Sequence, residues 1–112
     1  MLRYLFMSLP IESAIDLAKQ NMTEIFTVKE WAEEMKFNSS KYFSRKFRNA
    51  FGDRPKTKLI EIRINRFHHL INENLEISCY EIALELGLRD QVALNRFINR
   101  HTGKPPTEWK KG

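Results

Sequence analysis

The stretch that decides the fold is SSKYFSRKFRNAF, residues 39–51, which is followed by Gly52. Its apolar residues recur at the spacing of one helical face, which predicts an amphipathic helix packed on a core. These residues are Phe43, Phe47, Ala50 and Phe51. The run also holds four basic residues and no acidic residue, so the opposite face is positive. Alone, such a face fits either a solvated helix or a helix that enters a nucleic-acid groove.

The basic charge of the chain is concentrated around this helix. Of 112 residues with a net charge of +5, residues 39–66 contain nine Lys or Arg and two Asp or Glu. Residues 1–38 contain four basic and six acidic residues, and residues 67–112 contain six of each. A basic excess confined to one quarter of the chain is expected of a surface that attracts phosphate.

Length and composition describe one small folded domain, with 42% hydrophobic residues and few Gly and Pro. The single cysteine, Cys79, leaves no internal disulfide and fits a reducing compartment, so we expect a cytoplasmic protein. Residues 1–9 are apolar but too short to span a bilayer, and they lack a signal-peptide pattern. We interpret them as a linker or N-terminal extension without an evident role in the fold.

Residues 10–54 predict a first helix-turn-helix subdomain. A packing helix comes first, and Thr27 and Glu30 then form a predicted capping box that begins a second helix. That helix should end near Lys36 to Asn38, where Asn38 is the candidate for the left-handed conformation. Ser39 is a suitable N-cap for the basic helix. A helix, a short turn and a basic helix make the helix-turn-helix arrangement.

Residues 55–74 predict a long connecting helix. The apolar residues on one side of it are Leu59, Ile60, Ile64, Phe67, Leu70 and Ile71. For Arg63 and Arg66 three roles stay open, namely pairing with acids, contacting phosphate or being solvated. His68 and His69 are adjacent and point to different faces, so no metal site is predicted.

The chain then repeats itself at an offset of 51 residues. Identical pairs at this offset include Glu30/Glu81, Ala32/Ala83, Glu34/Glu85, Arg45/Arg96, Gly52/Gly103 and Pro55/Pro106. The caps correspond as well, since Ser78 begins a second predicted capping box and Asp90 stands at the position of Ser39. The repeat predicts a second helix-turn-helix subdomain in residues 75–112 and an all-α fold of about seven helices.

The second copy differs from the first in its turn and in its charge. Gly87 supplies a left-handed residue where the first copy has Lys36, so the first turn is expected to be more strained. The second candidate recognition helix, DQVALNRFINRHT at residues 90–102, is less basic, and Val92 near its start suits contact with thymine methyl groups. Phe97 is expected in the core, with the edge of the DNA-facing surface as the alternative.

Several residues carry a resemblance to a known family. Glu81-Ile82-Ala83, Leu86-Gly87, Asp90-Gln91, Arg96 and the closing TGKPPTEW of residues 102–109 resemble the carboxy-terminal signature of AraC/XylS-type transcription regulators. The resemblance covers about residues 10–110. It implies a DNA-binding domain in which two helix-turn-helix units place their recognition helices in successive major-groove segments. Leu88, Leu94 and Phe67 depart from the family pattern, which points to a repacked core.

The resemblance implies base-reading positions at Lys41, Ser44 and Arg45 in the first unit and at Gln91, Val92, Asn95 and Arg96 in the second. With the neighbouring polar positions, the predicted DNA-binding residues are Ser40, Lys41, Tyr42, Ser44, Arg45, Arg48, Arg89, Gln91, Val92, Asn95, Arg96 and Asn99. Double-stranded DNA is the predicted partner. RNA polymerase and an N-terminal effector or dimerisation domain are further candidate partners, and no membrane is expected.

The predicted function is sequence-specific duplex DNA binding for transcription regulation. No catalysis, cofactor or metal is predicted, because the sequence lacks a phosphate-binding Gly loop, a zinc motif and a nucleophile elbow. The alternative is a protein-interaction module whose helix-turn-helix units no longer read DNA, as the weakly basic second helix would allow.

Overall fold

The computed structural model describes residues 7–111 of the chain. In that range a short 3-10 turn, Ile11–Ser13, is followed by seven α-helices. The helices are α1 (Ala14–Gln20), α2 (Val28–Glu34), α3 (Ser40–Phe51), α4 (Pro55–Glu73), α5 (Cys79–Glu85), α6 (Gln91–Thr102) and α7 (Pro106–Lys110). The predicted all-α fold of about seven helices is confirmed.

The sequence repeat is also a repeat of structure. The chain divides into two compact units, Met1–Leu59 and Ile60–Gly112, with the division inside α4. Helices α5, α6 and α7 each begin 51 residues after α2, α3 and α4. The lengths agree as well, since α2 and α5 both have 7 residues and α3 and α6 both have 12.

Aromatic rings form the core of the first unit. Trp31, Phe43 and Phe47 are fully buried, and the ring centroids of the two Phe residues lie 5.4 and 4.9 Å from that of Trp31. The indole Nε1–H of Trp31 donates to the carbonyl of Ala14 at 3.0 Å, which ties α2 to the start of α1. Ala50 was predicted in this core but is exposed, because its short side chain lies in the last turn of α3.

Side-chain caps begin the second helix of each unit. The Oγ1 of Thr27 accepts from the amide of Glu30 at 3.1 Å, and Oε1 of Glu30 accepts from the amide of Thr27 at 2.9 Å. This capping box is as predicted. The second box is only half formed. The Oγ of Ser78 accepts from the amide of Glu81 at 3.0 Å, but the Glu81 carboxylate accepts from the Ser78 hydroxyl at 3.1 Å and not from its amide.

The turn between α2 and α3 holds the backbone strain that the repeat predicted. Lys36 has a φ of 65° and is the only non-glycine residue with positive φ among residues 7–111. Gly87 has the equivalent position and a φ of 77°. Asn38, predicted to be left-handed, is not, because α2 ends at Glu34 and the left-handed residue follows its C-cap directly.

Helix α4 buries more than its predicted apolar side. Leu59, Phe67, Leu70 and Ile71 are buried as expected, whereas Ile60 and Ile64 are half-buried. Ile62 and Arg63 are also buried, at 6% and 2% exposure.

The two arginines of α4 have different partners. Arg66 pairs with Glu85, with Nη2 and Oε2 at 3.6 Å, and pairing with an acid is one of the three roles that the sequence left open. The Nε of Arg63 donates to the carbonyl of Leu86 at 3.1 Å, a contact that the sequence had not indicated.

Helix α7 closes the second unit. The Nε1–H of Trp109 donates to Oγ1 of Thr102 at 3.0 Å, and its ring centroid lies 4.7 Å from that of His68. His69 lies beside Glu73, with Nε2 and Oε1 at 3.2 Å. Phe97 is half-buried with its ring against that of His101, so it lies at the rim of the core and not inside it.

Three further properties concern the described part of the chain. Residues 7–111 contain no group of three or more His, Cys, Asp or Glu side chains that could hold a metal ion. None of the helices in that range is both long enough and apolar enough to cross a membrane. The residues that depart from the family pattern, Leu88, Leu94 and Phe67, are all buried.

Candidate nucleic-acid interface

The outward face of α3 forms a shallow, open concave surface, which we term the α3 surface. It is lined by Ser39, Lys41, Tyr42, Ser44, Arg45, Arg48 and Asn49. It brings together five of the six residues predicted on this helix, and the sixth, Ser40, is exposed in the first turn. Ser39 and Asn49 were not among the predicted site residues, and the sequence had indicated Ser39 only as an N-cap. No acidic side chain lines this surface.

Local chemistry fixes how α3 presents this surface. The Oγ of Ser39 accepts from the amide of Tyr42 at 3.1 Å, which begins the helix, and Gly52 ends it with a φ of 73°. Phe43 and Phe47 are fully buried, so the rotation of the helix about its axis is determined by the core. The packing of the opposite face consequently holds the basic side chains on the solvent side.

Tyr42 and Arg45 form a stacked pair on the α3 surface. Tyr42 is 43% exposed, and its ring rests against that of Phe37, with centroids 5.6 Å apart. The Cζ of Arg45 lies 5.4 Å from the Tyr42 ring centroid, within the range of a cation–π contact. Such a contact restrains the guanidinium while its N–H groups stay accessible. A restrained, planar set of donors suits a bidentate contact with a guanine edge.

A second concavity adjoins the α3 surface at the end of the helix. It is lined by Arg48, Asn49, Gly52, Asp53, Arg54 and Thr57. The Oδ1 of Asp53 accepts from the backbone amide of Arg54 at 2.9 Å. Arg48 belongs to both concavities, so positive charge continues from α3 to the first turn of α4. The sequence had not indicated Arg54 or Thr57 as site residues, because they follow the predicted recognition helix of residues 39–51.

The α6 helix presents the second group of predicted residues to solvent. Gln91, Asn95, Arg96 and Asn99 are exposed, and Val92 is 56% exposed. The carboxylate of Asp90 begins the helix by accepting from the amide of Ala93 at 2.9 Å. The Arg89 side chain is 91% exposed, and its Nε lies 3.7 Å from Oδ2 of Asp90. A surface pair of this kind contributes little to stability, so the guanidinium remains available.

The two helices therefore offer different chemistry on equivalent scaffolds. Helix α3 carries Lys41, Arg45, Lys46 and Arg48, whereas the arginines of α6 are Arg96 and Arg100. Arg45 and Arg96 are equivalent in the repeat and are both exposed. Basic donors suit phosphate and guanine, whereas amides suit adenine and an exposed valine suits a thymine methyl group.

Solved structures similar to this chain include DNA-binding regulators. One is the DNA-binding domain of AdpA, a global transcriptional factor, in complex with a target DNA; the likeness covers 93% of this chain and 92% of that one, with 29% identity and a TM-score of 0.75. Another is the C-terminal domain of AraT, a response regulator from Geobacillus stearothermophilus, with 90% and 83% coverage, 20% identity and a TM-score of 0.77.

A third is a transcriptional regulator from Chromobacterium violaceum of the kind that contains an AraC-type DNA-binding domain. Its coverage is 90% of this chain and 88% of that one, with 22% identity and a TM-score of 0.71. No protein-family model and no curated protein matches the chain. The structural likenesses extend over both units of the repeat.

Proposed function

We propose that the chain is a DNA-binding domain of the AraC/XylS type and that it binds double-stranded DNA sequence-specifically to regulate transcription. The observation that carries this proposal is the α3 surface, where two arginines, a lysine and two serines converge with no acidic residue. Buried Phe43 and Phe47 hold that face outward. An exposed helix with a basic and polar outer face fits the major groove, where base edges can be read and phosphates flank the helix on both sides.

The finer proposal is that α3 and α6 both act as recognition helices in successive major-groove segments. Helix α3 reads bases with Lys41, Ser44 and Arg45, and α6 reads them with Gln91, Val92, Asn95 and Arg96. The other predicted residues, Ser40, Tyr42, Arg48, Arg89 and Asn99, contact phosphate or support the readers. The agreement of the two units in helix length, capping position and exposure supports this assignment.

The charge difference between the helices suggests a division of labour. Helix α3 supplies most of the electrostatic attraction to phosphate, together with the Arg45 base contact. Helix α6 adds readout through the amides of Gln91 and Asn95 and through the exposed methyl groups of Val92. Substituting α6 residues should therefore change sequence preference more than total affinity.

Two further partners are part of the proposal. RNA polymerase is a proposed partner, because regulating transcription requires an effect on that enzyme. An N-terminal effector or dimerisation domain is also proposed, since the similar AraT structure is a C-terminal domain of a response regulator. The mass of the natural gene product would test the second partner, because a companion domain in the same chain would add its own mass.

One observation favours a second candidate, a protein-interaction module that no longer reads DNA. Val92 is 56% exposed at the start of α6, where a large apolar side chain on the surface suits contact with another protein as well as with a thymine. An interaction module would bind duplex DNA weakly and without sequence preference. The proposed regulator would use this surface for DNA.

The experiment that tests the proposed interface is an NMR titration of the isotope-labelled chain with a duplex of about two helical turns. The expected result is a set of shifted amide signals from α3 and α6, with signals from α2 unmoved at their exposed positions Lys29 and Glu33. Shifts restricted to α3 would leave α6 without a role in DNA binding. An unchanged spectrum at low salt would favour the interaction module.

A further inference from the structure

The carbonyl groups of Met35 and Leu86 stand at equivalent positions in the repeat. Each belongs to the C-cap residue of its helix, α2 or α5, directly before the left-handed residue of the turn. The Met35 carbonyl accepts from the backbone amide of Leu9 at 2.9 Å. The Leu86 carbonyl accepts from Nε of Arg63 at 3.1 Å. The acceptor is the same in both units, but the donor is a backbone amide in one and a side chain in the other.

The bonds inside the two turns match each other closely. In the first turn Lys36 donates to Glu33 at 3.0 Å and Phe37 donates to Ala32 at 2.9 Å. In the second turn Gly87 donates to Leu84 at 3.0 Å and Leu88 donates to Ala83 at 2.8 Å. These bonds do not use the carbonyl of the C-cap residue. A carbonyl at a helix end needs a partner, and in both units that partner comes from a segment that precedes the helix-turn-helix.

Arg63 is an unusual residue to find in this place. Its side chain is 2% exposed, and an arginine stays charged when it is buried. Burying a charge is costly unless hydrogen bonds compensate for it, so an apolar residue would fill the space at lower cost. The hydrogen bond to Leu86 gives the arginine a task that an apolar residue cannot perform. It joins α4 to the turn that directs α6.

We propose that Arg63 is a positioning residue for the recognition helix α6, which it orients by holding the carbonyl of Leu86. The amide of Leu9 has the same task for α3, so residues 7–9 belong to the first unit and are more than a linker. The consequence for DNA readout rests on the proposed function. The consequence for the turn itself does not, because the hydrogen bond exists whether or not the chain binds DNA.

The test compares Arg63→Met with Arg66→Met. Both variants remove one positive charge from α4, but Arg66 forms a partly exposed ion pair with Glu85 and does not bond to the turn. Amide hydrogen exchange is measured at Leu88, with Phe37 as the equivalent amide in the other unit. Binding is measured for duplexes substituted in one half-site or the other, using sites obtained by selection with the natural chain.

Both measurements should change only at the turn before α6 and in the half-site that α6 reads. Arg63→Met should speed exchange of the Leu88 amide at least about tenfold relative to Phe37, and it should weaken base discrimination about tenfold in the α6 half-site only. Arg66→Met should do neither. If Arg63→Met does not fold, Arg63→Lys is used; it keeps the charge with a different donor geometry, and a smaller change at Leu88 is expected.

Two outcomes overturn the proposal. One is unchanged exchange at Leu88 in the folded variant. The other is faster exchange in both units with equal losses in both half-sites, which would make Arg63 a residue of general stability. A natural chain that selects no DNA sequence would contradict the proposed function instead, and the exchange measurement would still decide the role of Arg63. Leu9→Pro removes the other donor and should speed exchange at Phe37 and not at Leu88, with Leu9→Ala as its control.

Discussion

Lys36 and Gly87 lie 51 residues apart and share one backbone conformation, with φ values of 65° and 77°. Each directly follows the C-cap residue of a short helix, Met35 or Leu86. A left-handed backbone is readily adopted by glycine but is strained for a residue with a Cβ atom. The first unit therefore stores strain at a position where the second does not.

Replacing Lys36 by glycine should stabilise the chain. The left-handed conformation costs a lysine about 1–2 kcal/mol, and the greater freedom of glycine in the unfolded state offsets part of this gain. We expect the free energy of unfolding to rise by about 0.5–1 kcal/mol in a urea melt. Lys36→Ala should give no comparable gain, because alanine keeps the Cβ atom. If alanine stabilises as much as glycine, the lysine side chain and not its backbone is the source of the effect.

Phe47→Ala should unfold the first unit more easily. Phe47 is fully buried, and its ring centroid lies 4.9 Å from that of Trp31 and 4.6 Å from that of Phe51. Emptying such a site costs about 3–5 kcal/mol of stability. Phe51→Ala is the matched control, and its half-buried ring predicts a smaller loss. A Phe47→Ala variant that melts with the parent would contradict the placement of this helical face.

Arg45→Ala and Arg96→Ala should each relax base preference at one position. If each arginine makes a bidentate contact with a guanine, its loss costs about 1–3 kcal/mol for that sequence alone. Competition binding with singly substituted duplexes measures the effect. Lys46→Ala and Arg100→Ala remove the same charge from exposed positions of the same helices, outside the predicted readers. Equal losses on every sequence would make Arg45 and Arg96 phosphate contacts.

Binding should depend steeply on salt. With ~6–10 phosphate contacts, affinity falls by about 10³–10⁵ between 50 and 200 mM salt, because bound counterions are released. Arg48→Ala should lower the slope of log affinity against log salt by about 1, because Arg48 is a proposed phosphate contact. Lys19, exposed on α1, provides the control substitution. A slope that Arg48→Ala leaves unchanged would remove this residue from the interface.

The sequence predicted those features that depend on local signals. The order of the helices followed from the capping box at Thr27 and from the repeat of caps, glycines and prolines. These residues act on the backbone within one turn of their own position. The alignment with Gly87 also identified Lys36 as the strained residue, whereas the preference of Asn38 for turns pointed to the wrong position. Turn geometry depends on where the preceding helix ends, which propensity alone does not determine.

The sequence did not predict features that depend on contacts between distant residues. The bond from Arg63 to Leu86 joins residues 23 positions apart, and nothing in the spacing of α4 distinguishes Arg63 from Arg66. The contact of Leu9 with Met35 was missed for the same reason, since residues 1–9 have no helical pattern. Ala50 lies on the apolar face by spacing but is exposed, because burial depends on what lies opposite the residue.

Selection from a pool of random duplexes tests whether α3 and α6 read DNA together. We expect enrichment of a consensus with two half-sites separated by about one helical turn, ~10 base pairs. Arg45→Ala should relax one half-site and Arg96→Ala the other. Failure to enrich any sequence, or a consensus with a single half-site that Arg96→Ala leaves unchanged, would contradict this joint readout.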